Sequence, residues 1–219
     1  MINSDLQKLG GIAALIEAAL YVTGFGLFLT VLDPSGYEGH VQKVTFLADK
    51  QVALYVANLL IYVVFGVVLV VLTLALNARL KDGSPAIMQT ATAFGLIWAG
   101  LVIASGMIAN IGSSTVVELS SENQDQAVML WLTLATVQEA LGGGNEIVGG
   151  LWVLLLSWAA LRTDKLPKPL NYLGMLVGLA GILTVAPNFD VLMDVFGLGQ
   201  IVWFAWLGTV MLRGDRNAT

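Results

Sequence analysis

The 219-residue chain has no cysteine, one histidine and few charged residues, which make up only 11% of its length. Without cysteine there is no disulfide framework, no thiolate metal site and no cysteine nucleophile. The single histidine, His40, cannot build a haem, di-iron or zinc site of a familiar type, so we expect no metal and no other cofactor. Ten basic residues against fifteen acidic ones leave no positive surface for phosphate, so we expect no nucleic-acid partner.

Apolar residues, in contrast, make up 57% of the chain. A soluble domain carries about 25% charged residues because its surface must be hydrated, and this chain has less than half of that. Its outer surface must therefore face lipid, and we predict an integral, multi-pass membrane protein. Continuous apolar runs, rather than short segments of alternating polarity, favour helices over a membrane barrel.

Six stretches are long and apolar enough, or nearly so, to cross a bilayer, which takes about 20 residues. They are 9–32, 51–76, 86–111, 144–161, 170–187 and 195–212. We predict an all-α, polytopic transmembrane helix bundle of six spans that forms a single domain over residues 1–219. Residues 125–141 also have a helical pattern, and their polar ends favour an outer-face helix or an extension of the fourth span over a seventh crossing.

The placement of the basic residues predicts the orientation of these spans. With the N-terminus in the cytoplasm, eight of the ten basic residues lie in inside segments, and only Lys43 and Lys50 lie outside. This is the bias that the positive-inside rule requires. We therefore expect both termini to be cytoplasmic; a seven-span arrangement would fit the rule less well.

Glu17 lies about 12 Å from the inner end of the first span, at 1.5 Å per residue, among apolar sequence neighbours. An ionisable side chain at the centre of a membrane helix costs about 2.5–3.5 kcal/mol on insertion scales. Its carboxyl group must therefore be protonated or be partnered by another helix. Two interpretations remain open: a structural hydrogen bond, or a role in binding or proton handling.

A second group of polar residues falls in the outer half of the membrane by the same counting. Its members are Asn58, Glu139, Asn145, Glu146 and Gln200. Glu146 follows the run 142–145, whose three glycines invite a break in the helix, and irregular backbone at this depth is tolerated only where it lines protein or water. We predict a polar cavity open to the outside, whose residues are candidates for ligand binding or proton handling. An ordinary interhelical hydrogen-bond network is the alternative.

The glycines inside the spans are candidates for helix packing. Gly149 and Gly150 lie in the fourth span, and Gly174, Gly178 and Gly181 lie in the fifth. Small residues let helix backbones approach closely in lipid, either within one chain or between two copies in a homodimer.

Several of these segments resemble a known family. The run EIVGGLWVLLLS from Glu146 to Ser157, the turn at Leu166–Lys168, and the segments Asn171–Gly174 and Gly178–Gly181 are similar to a broad bacterial family of six-span membrane proteins. The opening Gly10–Ile16 is similar as well. That family is defined as a domain of unknown function. The resemblance therefore implies a bacterial cytoplasmic membrane, but it brings no activity and no assigned residues.

Motifs of catalysis are absent from the sequence, which has no phosphate-binding Walker loop, no Gly-x-Ser-x-Gly elbow and no His-Glu-x-x-His pair. We name no catalytic residue and lean away from an enzyme. The leading hypothesis is a membrane protein that binds a lipid or small molecule, or that accompanies a membrane-protein partner. The alternatives are a small-solute or proton-coupled transporter that uses Glu17 and the outer cavity, and an intramembrane enzyme with a glutamate acid/base.

Overall fold

The computed structural model describes residues 4–143, 146–186 and 191–213. Within these ranges the chain is helical and contains no strand. The helices are α1 Ser4–Phe28, α2 His40–Asp49, α3 Gln51–Asn58, α4 Phe65–Leu80, α5 Pro85–Glu122, α6 Gln124–Gln138, α7 Ile147–Thr163, α8 Lys168–Leu183 and α9 Val191–Arg213. Two π-helical segments accompany them: Leu59–Val64 joins α3 to α4, and Glu139–Gly143 follows α6.

Four helices are long and apolar enough to cross a membrane. They are Asp5–Phe28, Gln51–Leu80, Pro85–Glu122 and Val191–Arg213. The apolar helices α7 and α8 are shorter, with 17 and 16 residues, which is about 24–26 Å at 1.5 Å per residue. The chain is therefore an all-α, multi-pass membrane protein.

The third predicted span ends much later in the structure than in the sequence analysis. Hydropathy places its end at residue 111, whereas α5 continues to Glu122 over 38 residues. At 1.5 Å per residue the helix is about 57 Å long, nearly twice the roughly 30 Å apolar core of a bilayer. Helix α6 packs along the C-terminal end of α5, a tertiary contact that stabilises the additional turns and that hydropathy does not detect.

The first span, in contrast, ends earlier than expected, because α1 ends at Phe28 rather than at residue 32 and the chain then turns. The predicted limits at residues 144 and 187 lie outside the described residues.

Residues 125–141 pack along α5, as α7 does. Helix α6, the second π-helical segment and α7 all pack on α5. They do so in one antiparallel register, in which Leu134 lies against Gly112 and Trp98 lies against Gly149. An outer-face helix and an extension of the fourth span both stay predictions for this segment.

Six helices contact one another in a ring. Helix α1 packs against α4 and α9, α4 against α5, α5 against α7, α7 against α8, and α8 against α9. The helices approach most closely at glycines: a Cβ at Gly150 would lie 2.6 Å from the carbonyl oxygen of Gly178. The packing interpretation of the glycines in α7 and α8 therefore agrees with the structure.

Aromatic side chains fill the interior of the ring. The ring centroids of Trp98 and Trp152 are 5.7 Å apart, and those of Trp152 and Trp203 are 5.8 Å apart. Phe65 continues this row at 5.5 Å from both Trp98 and Tyr21. Edge-to-face and tilted contacts of this kind stabilise a core beyond the area that they bury, and here they connect α1, α4, α5, α7 and α9.

Candidate ligand-binding cavity

A cavity of about 370 Å³ lies between α1, the π-helical segment Leu59–Val64, α5 and the residue that precedes α7. Six of its eleven lining residues are aromatic, one is a carboxylate and none is basic. The lining residues are Leu20, Tyr21, Gly24, Phe25, Phe28, Ile61, Tyr62, Phe65, Trp98, Val102 and Glu146. Small-molecule sites typically measure about 300–1,000 Å³ and combine apolar walls with a few polar groups, and this cavity has both properties.

One side of the cavity is closed by the aromatic core. Tyr21, Phe65 and Trp98 line the cavity and also contact the buried rings of Phe204 and Trp152 on the other side. The cavity reaches the surface of the protein at Phe28, which is 42% exposed. The space is therefore a pocket with an aromatic floor and an opening near the C-terminal end of α1.

Glu146 is held in place by its main chain. Its amide donates a hydrogen bond to the Thr184 hydroxyl (3.1 Å), which itself donates to the carbonyl of Gly181 (2.7 Å). Its carbonyl accepts the amide of Gly150 (2.7 Å), which closes the first turn of α7. The main chain is thus fixed to α8, while the half-buried side chain lines the cavity. No basic side chain among the described residues pairs with this carboxylate.

Two tyrosines, Tyr21 and Tyr62, line the cavity together with Glu146. Tyr62 also lines the neighbouring cavity, as does Gln138. Sequence reasoning did not single out either tyrosine. The segment Leu59–Val64 contains no glycine or proline, so nothing in the sequence indicates the π-helical turn that carries Tyr62; such turns occur frequently at functional sites.

Asn58 lies in a neighbouring cavity of about 230 Å³, which shares Phe28 and Tyr62 with the first. The Asn58 side-chain amide donates to the side-chain oxygen of Asn110 (3.1 Å), and the Asn110 amide donates to the carbonyl of Tyr55 (3.2 Å). For Asn58, this is the interhelical hydrogen-bond network that the sequence left open as the alternative.

Glu17 and Gln200 are fully buried inside the ring, at 0% exposure. Neither the carboxyl oxygens of Glu17 nor the side-chain amide of Gln200 has a hydrogen-bond partner among the described residues. Glu17 lies one helical turn before Tyr21 on the same face of α1, just beyond the aromatic floor. Gln200 lines neither of these two cavities.

The other two candidates from the sequence are Glu139 and Asn145. Glu139 is exposed in the second π-helical segment and lines neither of these two cavities. Asn145 lies outside the described residues. Of the five residues expected in one outer cavity, the structure places Glu146 and Asn58 on adjoining cavities and Gln200 and Glu139 apart from both.

A family model described as a domain of unknown function, DUF4386, matches residues 9–209. The match runs from α1 to α9 and includes every residue that lines the cavity. Comparisons with curated proteins and with solved structures found no match.

Proposed function

The chain belongs to the DUF4386 family, as the resemblance of its fourth and fifth apolar segments suggested, and we propose that it binds a small amphiphilic molecule without catalysing a reaction. The observation that carries this proposal is the 370 Å³ cavity beside Glu146. Its apolar and aromatic walls suit the hydrocarbon part of such a molecule, and the carboxylate and the two tyrosine hydroxyls suit a polar head.

We propose that α1, Gln51–Leu80, α5, α7, α8 and α9 are the six spans, with both termini in the cytoplasm. The side chain of Arg79 at the end of α4 donates to the carbonyl of Lys165 in the α7–α8 loop (2.9 Å), which supports a common side for these basic loops. The bilayer can adapt to the shorter α7 and α8 by local thinning. In this orientation the cavity lies in the outer half of the membrane.

A test of the proposal is to fill the cavity from α1. Gly24 lines the cavity, and a Cβ on it would lie 3.2 Å from Cγ2 of Ile61 on the opposite wall. Gly24→Leu should therefore occupy the binding space. Gly26→Leu is the matched control, because it makes the same change on the same helix where no atom lies within 4 Å of the new Cβ.

Binding is measured by titration calorimetry of the full chain in nanodiscs, with empty nanodiscs as the blank. The probes share one tail and differ in charge: octyltrimethylammonium, 1-octanol and octanoate. We expect at least one probe to bind to the wild type and to Gly26→Leu with the same affinity, and to bind Gly24→Leu at least about tenfold more weakly. Ile61→Trp should reproduce the loss from the other wall. Unchanged binding in both Gly24→Leu and Ile61→Trp would refute binding in this cavity.

A second candidate function, proton-coupled transport, is favoured by the position of Glu17. This carboxyl group is fully buried without a described partner, one turn beyond the floor of an outward-opening cavity. Acidic groups in such positions mark proton and ion pathways in membrane proteins. Movement of Tyr21 would connect Glu17 to the cavity, and flux measurements on Glu17 variants, described below, test this function separately from binding.

A further inference from the structure

On the basis of the proposed function, we infer that the molecule taken up by the cavity is a lipophilic cation, whose ammonium group pairs with the carboxylate of Glu146. Its apolar part lies among the aromatic side chains that line the rest of the cavity. The inference follows from the sign of the charge in the cavity, from the chemistry of its walls and from its size.

The cavity has one charged lining residue, and that residue is acidic. Glu146 has no basic partner among the described residues, and no basic side chain lines the cavity. The N-terminus of α7 beside Glu146 contributes only about half a positive charge through its aligned peptide dipoles. The ionised carboxylate outweighs that contribution, and a bound cation favours this ionised form of Glu146, so the site prefers a cation to an anion. In a site of low dielectric constant this preference is stronger than in water.

The walls of the cavity add a second reason for a cation. Six of the eleven lining residues are aromatic, and aromatic faces attract ammonium groups through the ring quadrupole, most of all when water is excluded. Trp98, the best type of ring for this contact, lines the cavity beside Phe65 and packs against the buried ring of Trp152. A carboxylate among fixed aromatic rings is the arrangement that recognises alkylammonium groups.

The volume of the cavity limits the size of this cation. A space of 370 Å³ corresponds to about a dozen water molecules at roughly 30 Å³ each. It accommodates an ammonium head with a short chain or a single ring system. A longer tail would leave through the opening at Phe28.

The test compares the three octyl probes on the full chain in nanodiscs. We expect the wild type to bind octyltrimethylammonium more tightly than 1-octanol, and octanoate most weakly. Glu146→Gln keeps the shape and removes the charge, and it should weaken binding of octyltrimethylammonium by at least about tenfold while leaving binding of 1-octanol within twofold. Glu118→Gln, the same change at an exposed carboxylate on α5, should leave all three affinities unchanged.

Two results would overturn the inference. In the first, the wild type binds octanoate as tightly as the ammonium probe. This comparison needs no variant, so it remains decisive even if Glu146→Gln does not fold. The other is a folded Glu146→Gln with unchanged affinity for the ammonium probe. In either case, if the wild type binds a probe and Gly24→Leu does not, the proposed function stands although the inference about a cation fails. If none of the three probes binds to the wild type, the proposed function itself fails.

Discussion

Gly150 lies where the backbones of α7 and α8 approach closely, and replacing it by alanine tests how the ring of helices is held together. A Cβ at this position would lie 2.6 Å from the carbonyl oxygen of Gly178, 2.7 Å from the amide nitrogen of Ile182 and 2.9 Å from the carbonyl carbon of Gly181. All three are backbone atoms, which cannot rotate away as a flexible side chain can. Gly150→Ala should therefore push the two helices apart.

The size of the effect can be worked out from these contacts. The shortest contact is about 0.8 Å below the ordinary 3.4 Å. If α7 and α8 move apart by that distance to relieve it, the atoms that face each other across the new gap lose roughly a quarter to a half of their attraction. Overpacking of this kind costs about 1–3 kcal/mol. An alanine also favours the helix over glycine by about 0.8–1.0 kcal/mol, so the net loss in the free energy of unfolding should be at most about 2 kcal/mol.

Gly100→Ala on α5 is the control, because nothing lies within 4 Å of its Cβ. It keeps the gain in helix propensity without the clash and should not destabilise the protein. The two variants should thus differ by about 1–3 kcal/mol. The double variant Gly150→Ala/Gly178→Ala should cost less than the sum of its parts, because the first alanine already separates the helices.

The assay is equilibrium unfolding in mixed micelles with increasing sodium dodecyl sulfate, followed by circular dichroism. Gly150→Ala should unfold at a lower fraction of dodecyl sulfate than the wild type, and Gly100→Ala at the same or a higher fraction. If both variants shift the transition in the same direction by the same amount, the close backbone contact between α7 and α8 does not stabilise the ring.

Three further predictions follow, two on Glu17 and one on the orientation of the chain. The Glu17 carboxyl oxygens have no partner among the described residues. Glu17→Leu removes this unsatisfied buried polar group, so it should leave the unfolding transition unchanged or move it to a higher fraction of dodecyl sulfate. A large destabilisation would reveal a structural role. If Glu17 handles protons, Glu17→Gln should fold normally but abolish pH-driven flux in reconstituted vesicles, whereas unchanged flux would exclude transport through Glu17. Single cysteines in place of the exposed Asp82 and Ser121 should react with an impermeant thiol reagent only from the cytoplasmic and outer side respectively, and the reverse pattern would invert the proposed topology.

The sequence predicted one part of the candidate site and missed another. The glycine run and the acidic residue that follows it identified Glu146, because a carboxylate after a helix-breaking run is unusual at membrane depth. The two tyrosines that share its environment were missed. Tyr21 and Tyr62 lie in continuous apolar runs that look like any other part of a span. They line one cavity with Glu146 only because α1, the first π-helical segment and the residue before α7 surround the same space.

The sequence by itself determined the class of this protein, because too few charged residues and long apolar runs leave a helical membrane protein as the only stable arrangement. It also determined most of the helices, whose hydropathy is a local property. The tertiary structure decided which faces are buried. The spans are apolar towards lipid and towards one another, so hydrophobic periodicity does not distinguish the two sides. Only packing showed that Gln200 is enclosed, that α6 packs along the C-terminal end of α5, and that a cavity lies beside Glu146.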